Sequence, residues 1–441
     1  MFAVPTILYT TMKIAIFTDC YLDLTGGIVT VINSEKQELE RRGHTVYIFS
    51  SAYPRSNKAR QELAREHIFP VPTCKLWGRG AAPIARRSAV IEKWLAKHHP
   101  ELRQFDVFYV HYEAGCSIAG LRLGRKLHIP TVQVMHGRED MGEALIIPPG
   151  FRTFVATMLD WFHSWYLPHP VKVAKDNYLA TTVAKAKMWS IMVNHANSAD
   201  YVITPSDFFR EMLIHYGVTR PIEPLHHGIA DRYTMLAVTK KSLMPGEPLQ
   251  IIWHSRLSPE KRIMPFLEAL SILQSESDSR HFPTIIMKNR TKLAPVYHLD
   301  VYGDGPEIIN ARPYAKVHHL NVTFHGAKKF EHIWEQLRQA HLDVLVSYNY
   351  DTFGMSLIEA EAAGVPTLIA DPDLEEIVPS GGFVLTKLPS PVAIAESLSN
   401  LIAHPERIAD MSETMLAHRH ELKISTKINH LERLFNDIID S

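Results

Sequence analysis

The chain of 441 residues is longer than one hydrophobic core usually serves, so two domains of about 200 residues each are expected. Lysine plus arginine and aspartate plus glutamate both number 47, which excludes the net basic field that attracts nucleic acid. Hydrophobic residues make up 46% and charged residues 21%, as in ordinary folded proteins, so general disorder is not expected.

The three cysteines, Cys20, Cys74 and Cys116, are widely spaced and include no CxxC pair. This usage argues against a disulfide framework and against a zinc site, and it fits a reducing cytosol. No apolar run reaches about 18 residues, so no membrane span is predicted, and the first residues lack the features of a signal peptide. We expect a cytoplasmic protein that begins at Met12, or one in which the first eleven residues form a loose tail.

Short apolar runs alternate with amphipathic stretches in the first half, as in a doubly wound parallel α/β sheet. A helix is predicted over Gly27–Arg42, and Gly43 suits the left-handed position that ends it. We assign residues 12–236 to this N-terminal, Rossmann-like domain. Its predicted strands are Lys13–Thr18, Thr45–Ser50, Val107–Val110 and Thr131–Met135.

Residues 142–195 interrupt this alternation and form a predicted helical insertion. Its aromatic and large apolar residues are Phe151, Phe154, Met158, Trp161, Phe162, Trp165 and Tyr166, and its lysines include Lys172, Lys175, Lys185 and Lys187. Aromatic and basic residues together favour contact with a membrane surface or a lipid acceptor. The alternative is that these aromatics pack onto the N-terminal domain.

A second α/β series follows residues 237–248, which are polar, contain proline and glycine, and are predicted to form a linker. The second Rossmann-like domain is assigned to residues 249–415. A C-terminal helix over 416–441 is predicted, and it is expected to cross back to the N-terminal domain. The predicted strands of the second domain are Gln250–His254, His298–Tyr302, Val322–His325, Val344–Ser347 and Thr367–Ala370.

Two loops carry features suited to phosphate. Gly26 and Gly27 follow the first strand and precede a helix, where backbone N–H groups can approach an anion, although two glycines alone also suit a simple turn. Arg256 and Lys261 follow the first strand of the second domain, and a guanidinium with an ammonium suits a diphosphate. Taken alone, this pair could equally be two solvated charges.

An acidic segment near the end of the second domain carries the clearest pattern. A helix that begins near Gly354 would present the N–H groups of Met355 and Ser356 to a phosphate or a sugar hydroxyl. Glu359 lies just over one turn into that helix and can accept hydrogen bonds from ribose hydroxyls, whereas Asp351 lies on the preceding loop. The Gly303–Pro306 loop lacks the GxGxxG spacing, which counts against a nicotinamide enzyme.

This acidic segment resembles the Glu, seven residues, Glu motif of retaining glycosyltransferases of family 4. The resemblance implies the GT-B fold, in which two Rossmann-like domains face a cleft, and it covers nearly the whole chain. The segments that match, besides the acidic one, are Thr25–Gly27, Arg41–His44, His136–Gly137, Thr204–Ser206, His227–Ile229, Arg256–Lys261 and Gly303–Pro306.

The resemblance implies a role for each matched residue. Arg256 and Lys261 would bind the donor diphosphate and Glu359 the ribose, while His136 would approach the donor sugar and assist the reaction. Asp351 would hold that sugar together with the backbone of Phe353, Gly354, Met355 and Ser356. Asp351 stands where the family most often has glutamate, which places the identity of the sugar in doubt. No metal and no cofactor is expected, because these groups would replace a metal, and Asp371-Pro-Asp373 is interpreted as a turn.

We therefore expect retaining transfer of a hexose from a nucleoside diphosphate sugar, such as UDP-glucose, to a hydroxyl acceptor held by the N-terminal domain. The segments Ile16–Tyr21 and Glu40–Phe49 resemble bacterial diacylglycerol glucosyltransferases, which favours a lipid acceptor at the inner face of the cell membrane. A polysaccharide or cell-wall acceptor stays open. So do three further functions: a non-catalytic partner that kept the fold, a GT-B epimerase and a phosphorylase.

Overall fold

The computed structural model divides the chain into two compact units, each with its own sheet. The first unit comprises Met1–His227 and Ile424–Ser441, and the second comprises Gly228–Lys423. The residues that the structure describes are 11–20, 26–51, 57–74, 84–85, 87–141, 147–244, 246–280 and 296–441. None of the helices within those ranges is long and apolar enough to cross a membrane.

The first unit contains a parallel sheet in the order β3-β2-β1-β6-β7-β8-β9, and a short antiparallel pair, β4-β5. Sequential strands lie on both sides of β1, as in a doubly wound fold. The described strands are β1 (Lys13–Thr18), β2 (Thr45–Ser50), β3 (Ile68–Pro70), β4 (Thr73–Cys74), β5 (Ile84–Ala85), β6 (Val107–His111), β7 (Thr131–Val134), β8 (Tyr201–Thr204) and β9 (Ile222–Pro224).

Helices cover both faces of this sheet. Because strand side chains alternate, Ile14 and Ile16 of β1 pack into a different apolar cluster from Ala15 and Phe17. The helices described in this unit are α1 (Gly27–Arg41), α2 (Asn57–Arg65), α3 (Ser88–His98), α4 (Gly115–Leu127), α5 (Arg152–Ser164), α6 (Val183–Ala196), α7 (Asp207–His215) and the C-terminal helix, Ile424–Ile439. Short 3₁₀ turns span Pro100–Gln104 and Pro149–Phe151.

The C-terminal helix, Ile424–Ile439, packs with the first unit through a polar and an apolar contact. Ile428, Leu431 and Phe435 join the cluster that contains Ile14 and Ile16. On its polar side, Glu432 accepts a hydrogen bond from Arg42 Nη1 at 2.7 Å. The helix begins later than the predicted residue 416, because Arg419–Leu422 forms a separate 3₁₀ turn that belongs to the second unit.

The second unit contains a parallel sheet in the order β12-β11-β10-β13-β14-β15. Its strands are β10 (Leu249–Trp253), β11 (Tyr297–Tyr302), β12 (Val322–Gly326), β13 (Leu342–Leu345), β14 (Thr367–Ile369) and β15 (Phe383–Leu385). Its described helices are α8 (Asp231–Met235), α9 (Ile263–Arg280), α10 (Ile308–Val317), α11 (Phe330–Leu337), α12 (Met355–Ala362), α13 (Pro391–Ala403) and α14 (Glu406–His418). Short 3₁₀ turns span Pro259–Lys261 and Pro372–Ile377. In chain order, the C-terminal helix of the first unit, Ile424–Ile439, is α15. The prediction of two Rossmann-like parallel-sheet domains is confirmed.

The division between the units falls before the predicted linker. Residues 228–236 were expected in the N-terminal domain, yet they belong to the second unit. The ring of Tyr233 lies 4.8 Å from that of Trp334, and the guanidinium of Arg419 donates hydrogen bonds to the carbonyls of Tyr233 and Leu236. These contacts hold the segment against the second unit.

The predicted linker, 237–248, also belongs to the second unit. The Lys241 N–H donates to Ser412 Oγ at 2.8 Å, and Lys241 Nζ donates to the Arg338 carbonyl at 2.6 Å. Its polar composition therefore reflects a segment that hydrogen-bonds along the surface of the unit. Composition alone cannot distinguish such a segment from a free linker.

Candidate active site

The predicted donor-binding residues follow two neighbouring strands. β10 pairs directly with β13, and the carboxyl ends of parallel strands meet at one edge of a sheet, where ligands of α/β folds bind. The loop after β10 carries Arg256 and Lys261, and the segment after β13 carries Asp351 and Glu359. Strand order alone therefore gathers these residues at one edge of the second sheet.

Lys261 and Asp351 form an ion pair. Lys261 Nζ donates to Asp351 Oδ1 at 2.6 Å and to Oδ2 at 2.9 Å, and the Ser347 hydroxyl also donates to this carboxylate. The two side chains are only 12% and 11% exposed. The resemblance assigned Lys261 to the diphosphate and Asp351 to the sugar, whereas the structure places the two groups in mutual contact, so neither charge is independent of the other.

Arg256 is the more accessible cation of this loop. Its side chain is 59% exposed, and its Nη2 lies 3.2 Å from Glu260 Oε1. The backbone of Gly305 packs closely against this loop, because a Cβ atom at Gly305 would lie 2.3 Å from the Leu257 carbonyl oxygen. The Gly303–Pro306 segment therefore supports the cationic loop by close backbone approach.

Helix α12 begins directly after Gly354, as predicted. Gly354 has a φ of 80°, and a Cβ there would lie 2.8 Å from Leu345 Cδ2, so glycine suits the turn. The first N–H groups of the helix, from Met355 and Ser356, have no partner within it and favour an anion at this end. Phe353, only 4% exposed, anchors the turn in the core.

Glu359 is held by a buried histidine, His254, which the sequence analysis named only as the end of a predicted strand. His254 Nδ1 lies 3.3 Å from Glu359 Oε2, and its Nε2 lies 3.0 Å from Asp343 Oδ1. Burial lowers the pKa of His254, but the Asp343 and Glu359 carboxylates outweigh that effect and raise it to about 10. A buried imidazolium therefore orients the carboxylate that the resemblance assigns to ribose.

Gly26 and Gly27 lie at the start of α1 in the first unit. Gly26 is extended, with a φ of 175°, and its carbonyl accepts hydrogen bonds from the N–H and hydroxyl of Thr30. A Cβ at Gly26 would meet nothing within 4 Å, so no packing constraint requires glycine there. Thr25, the remaining residue of that motif, lies outside the described residues.

His136 follows β7 and belongs to a buried histidine cluster of the first unit. A 2.8 Å hydrogen bond joins its Nε2 to His111 Nδ1, and its ring stacks on that of His227. Lys427 of α15 lies 3.0 Å from His227 and pairs with Glu35 of α1. Burial, assisted by the Lys427 charge, lowers the pKa of His136 to about 3, so its imidazole is neutral at pH 7.

The insertion places an apolar stripe on the outside of α5. Phe151, Phe154, Met158, Trp161 and Trp165 are between 47% and 69% exposed and recur at helical spacing. Phe162, in contrast, contacts Tyr166, whose carbonyl accepts a hydrogen bond from Arg122. The stripe therefore faces solvent and leaves the predicted membrane contact as a proposal, whereas Phe162 and Tyr166 pack as the alternative interpretation expected.

Candidate metal ligands do not gather in the described part of the chain: no three or more histidine, cysteine, aspartate or glutamate side chains converge as ligands do. The Asp371-Pro-Asp373 segment begins a 3₁₀ turn, in which Asp371 caps the N–H of Asp373. Asp371 also accepts a 2.6 Å hydrogen bond from the N–H of Asn349, so it helps to position the loop that carries Asp351.

Known families and proteins match both units. Residues 25–232 match the family described as Glycosyltransferase Family 4, and residues 237–416 match the family described as Glycosyl transferases group 1. Alpha-monoglucosyldiacylglycerol synthase of Streptococcus pneumoniae is 23% identical over 420 residues, which are 92% of this chain and 81% of that protein. The enzyme of the same name from Acholeplasma laidlawii is 20% identical and covers 97% of this chain and 98% of its own.

The solved structures agree with this assignment at the level of the fold. The Anabaena protein HepE, in complex with UDP and glucose, superposes with a TM-score of 0.63 at 15% identity, over 96% of this chain and 99% of that one. The predicted GT-B fold is confirmed by this likeness. The two family matches, which between them span most of residues 25–416, show that the chain is a glycosyltransferase of the family 4 type.

Proposed function

We propose that this glycosyltransferase moves glucose from UDP-glucose to the free hydroxyl of a diacylglycerol, with retention of configuration and without a metal ion. The observation that carries the proposal is the edge of the second sheet, where Lys261, Asp351, Glu359 and the start of α12 are gathered by the adjacent strands β10 and β13. The HepE structure, which holds UDP and glucose, and the names of the two synthases support the choice of donor and acceptor.

In the proposed reaction, the bond between the sugar C1 and the diphosphate oxygen breaks while the acceptor oxygen bonds to C1 on the same face. The acceptor proton passes to the departing phosphate oxygen. Arg256, Lys261 and the N–H groups at the start of α12 stabilise the charge that develops on the diphosphate. Glu359, oriented by His254, accepts hydrogen bonds from the ribose hydroxyls. Asp351 binds the sugar and keeps Lys261 in position.

His136 is proposed to contact the donor sugar in its neutral form. Because its pKa is about 3, the imidazole carries no charge at pH 7 and can both accept and donate hydrogen bonds. A neutral ring suits hydrogen bonds to sugar hydroxyls and carries no charge to attract a phosphate. Binding of the diphosphate is therefore assigned to Arg256 and Lys261 of the second unit.

The proposed acceptor follows from the outer face of α5. An exposed stripe of Phe151, Phe154, Trp161 and Trp165 suits the boundary between lipid headgroups and acyl chains. The exposed Lys172 side chain lies in the same insertion and would favour anionic lipids. The proposed site of action is therefore the inner face of the cell membrane, where a diacylglycerol presents its hydroxyl at the interface.

Donor choice is tested by thermal unfolding of the purified chain with UDP-, GDP- and ADP-glucose. A donor at about 100 times its Kd stabilises the folded state by roughly 2.7 kcal/mol. We expect the largest increase in Tm with UDP-glucose. Equal shifts with all three nucleotides, or a larger shift with GDP- or ADP-glucose, would rule out the proposed donor.

Membrane contact is tested by sedimentation with vesicles that contain anionic lipid. The double variant Trp161→Ser, Trp165→Ser should lower the bound fraction several-fold, because both rings leave the stripe. Ile309→Ser, which removes an even more exposed apolar side chain from α10, serves as the control and should bind like the wild type. Unchanged binding of the tryptophan variant would exclude α5 as the contact surface.

A further inference from the structure

A cavity of about 620 Å³ lies inside the first unit, beneath the insertion. α5 contributes Leu159 and Phe162 to its wall, α6 contributes Met188 and Ile191, and Ile118 of α4 lies opposite. Its volume falls within the range of about 300–1,000 Å³ that is typical of small-molecule sites. The apolar wall favours a hydrocarbon ligand over a sugar or a nucleotide.

The cavity reaches the surface beside the exposed stripe. Val90 and Leu159 line it and are 43% and 36% exposed, so they lie at its rim. Phe154 and Trp161, on the outer side of the same helix, are 69% and 56% exposed. α5 therefore carries the exposed stripe on one side and forms a wall of the cavity on the other. An acyl chain that leaves the bilayer along this helix would reach the cavity with little exposure to water.

The polar end of the cavity is acidic. Glu113 and Glu139 line it together with Tyr112. Burial, followed by the nearby carboxyls of Glu139 and Asp19, raises the pKa of Glu113 well above its usual range, and burial with the charge of Asp140 raises that of Glu139 to about 7. Such carboxyls can hydrogen-bond a hydroxyl or an ester carbonyl, but on ionisation they repel a phosphate.

Positive charge is sparse around the cavity. Arg87 is the one arginine or lysine among the described residues that line it, and it is exposed. His163 also lines the cavity, but burial lowers its pKa to about 3, so it is neutral. A phosphorylated headgroup would therefore find two acidic groups and little compensating charge, whereas an uncharged glycerol headgroup would find hydrogen-bonding partners.

We infer that this cavity binds one acyl chain of an uncharged acylglycerol, with the glycerol hydroxyls at Glu113 and Glu139. The inference rests on the proposed function for the identity of the acceptor, yet binding in the cavity can be measured without any transfer. Binding of an acyl chain would also account for the position of α5, which carries the exposed stripe and forms part of the cavity wall. The acyl chain would be selected by length, because a volume of about 620 Å³ limits how many methylene groups can enter.

The test uses 1-octanoylglycerol, at a concentration below its aggregation, as a monomeric probe for isothermal titration calorimetry. Ile191→Trp fills the cavity and should weaken binding at least ten-fold. Val183→Trp adds the same side chain to the exposed start of α6, where Val183 is 49% exposed, and should bind like the wild type. Equal affinity of the Ile191→Trp variant and the wild type would overturn the inference.

Chain length gives a second readout that does not depend on a bulky variant. Each methylene that enters the cavity should raise affinity about four-fold, until the cavity is full. Met188→Ala enlarges the space and should move the tightest-binding length to a longer chain. Affinity that is independent of chain length, or tight binding of 1-octanoylglycerol 3-phosphate, would also overturn the inference.

Transfer assays separate this inference from the proposed function. Cavity-sensitive binding without any glucosyl transfer would support the cavity and contradict the proposed function. Glucosyl transfer to 1-octanoylglycerol with the same KM for the wild type and for Ile191→Trp would support the function and contradict the cavity.

Discussion

Two buried histidines, one in each unit, reach opposite charge states at the same exposure. His136 of the first unit and His254 of the second are each 9% exposed. Burial and the Lys427 charge lower the pKa of His136 to about 3, whereas the Asp343 and Glu359 carboxylates overcome burial and raise that of His254 to about 10. The neighbours, and not the depth of burial, therefore decide the charge.

The difference matches what each unit contributes to the proposed reaction. In the second unit, a fixed cation holds Glu359 while Arg256 and Lys261 supply positive charge for the diphosphate. In the first unit, His136 is neutral and is proposed to contact the donor sugar through hydrogen bonds alone. Variants that change the charge of either histidine therefore test whether the neighbouring groups decide that charge.

The largest effect is expected when the His254 cation is removed. His254→Gln leaves Asp343 and Glu359 without their shared partner, and Asp343 is fully buried, so the free energy of unfolding should fall by about 3–5 kcal/mol. Urea denaturation at pH 6 measures this, with His404→Gln, at a histidine 56% exposed, as the control. A decrease in the free energy of unfolding below about 1 kcal/mol would show that the contacts of His254 with Asp343 and Glu359 contribute little to stability.

The stability that His254→Gln loses should depend on pH in one direction. The pKa of His254 is raised, so its stabilising contribution is fully present below pH 6.5 and is lost as pH rises towards about 10. The difference between the wild type and His254→Gln should therefore shrink between pH 7 and pH 9. A difference that grows over this range would contradict a cationic His254.

A slightly smaller effect is expected on turnover when Lys261 is truncated. Lys261→Ala should lower kcat about 100- to 1,000-fold, because one group that stabilises the departing diphosphate is removed. Lys240→Ala, which breaks an exposed pair with Glu413 in the same unit, is the matched control. Near-normal transfer by a folded Lys261→Ala variant would remove this residue from the proposed mechanism.

The neutral state of His136 predicts the opposite pH dependence. Its lowered pKa means that the unfolded chain binds a proton that the folded chain does not, so stability falls as pH decreases from 6.5 towards 3. The stability advantage of the wild type over His136→Gln should thus shrink by about 1 kcal/mol between pH 7 and pH 5.5. An advantage that widens on acidification would indicate a protonated His136.

The smallest effect is expected when the charge of Lys427, the lesser cause of the lowered His136 pKa, is removed. Lys427→Met alone would leave Glu35 buried and unpaired, so the double variant Glu35→Gln, Lys427→Met is the better probe. Removal of the ammonium should raise the pKa of His136 by a fraction of a unit, because Lys427 is the second cause of its shift after burial. NMR titration of the imidazole measures the change, and a lowered pKa would contradict it.

The sequence predicted the six-residue strands β1 and β2 well and missed several of the shorter strands. β1 and β2 have the predicted bounds, since six consecutive residues give a clear apolar run. β9 and β15 have three residues each and gave no comparable signal. β13 was predicted at 344–347 but spans Leu342–Leu345, because Ser347 leaves the strand to hydrogen-bond Asp351.

Motif matching identified the residues that are proposed to bind the donor, but it did not give their partners. Lys261, Asp351 and Glu359 were identified from spacing, whereas the ion pair of Lys261 with Asp351 depends on the adjacency of β10 and β13. The charge of His254 was equally unpredictable, since Asp343 is distant from it along the chain. The cavity gave no sequence signal, because its walls come from separate helices.

The central claim is glucosyl transfer from UDP-glucose to diacylglycerol. The most direct measurement incubates the purified protein with radiolabelled UDP-glucose and vesicles that contain diacylglycerol, followed by organic extraction and NMR of the product. We predict label in a lipid-extractable monoglucosyldiacylglycerol whose anomeric proton has the α configuration of the donor. Label that stays entirely in the aqueous phase, or a β-linked product, would contradict the proposal.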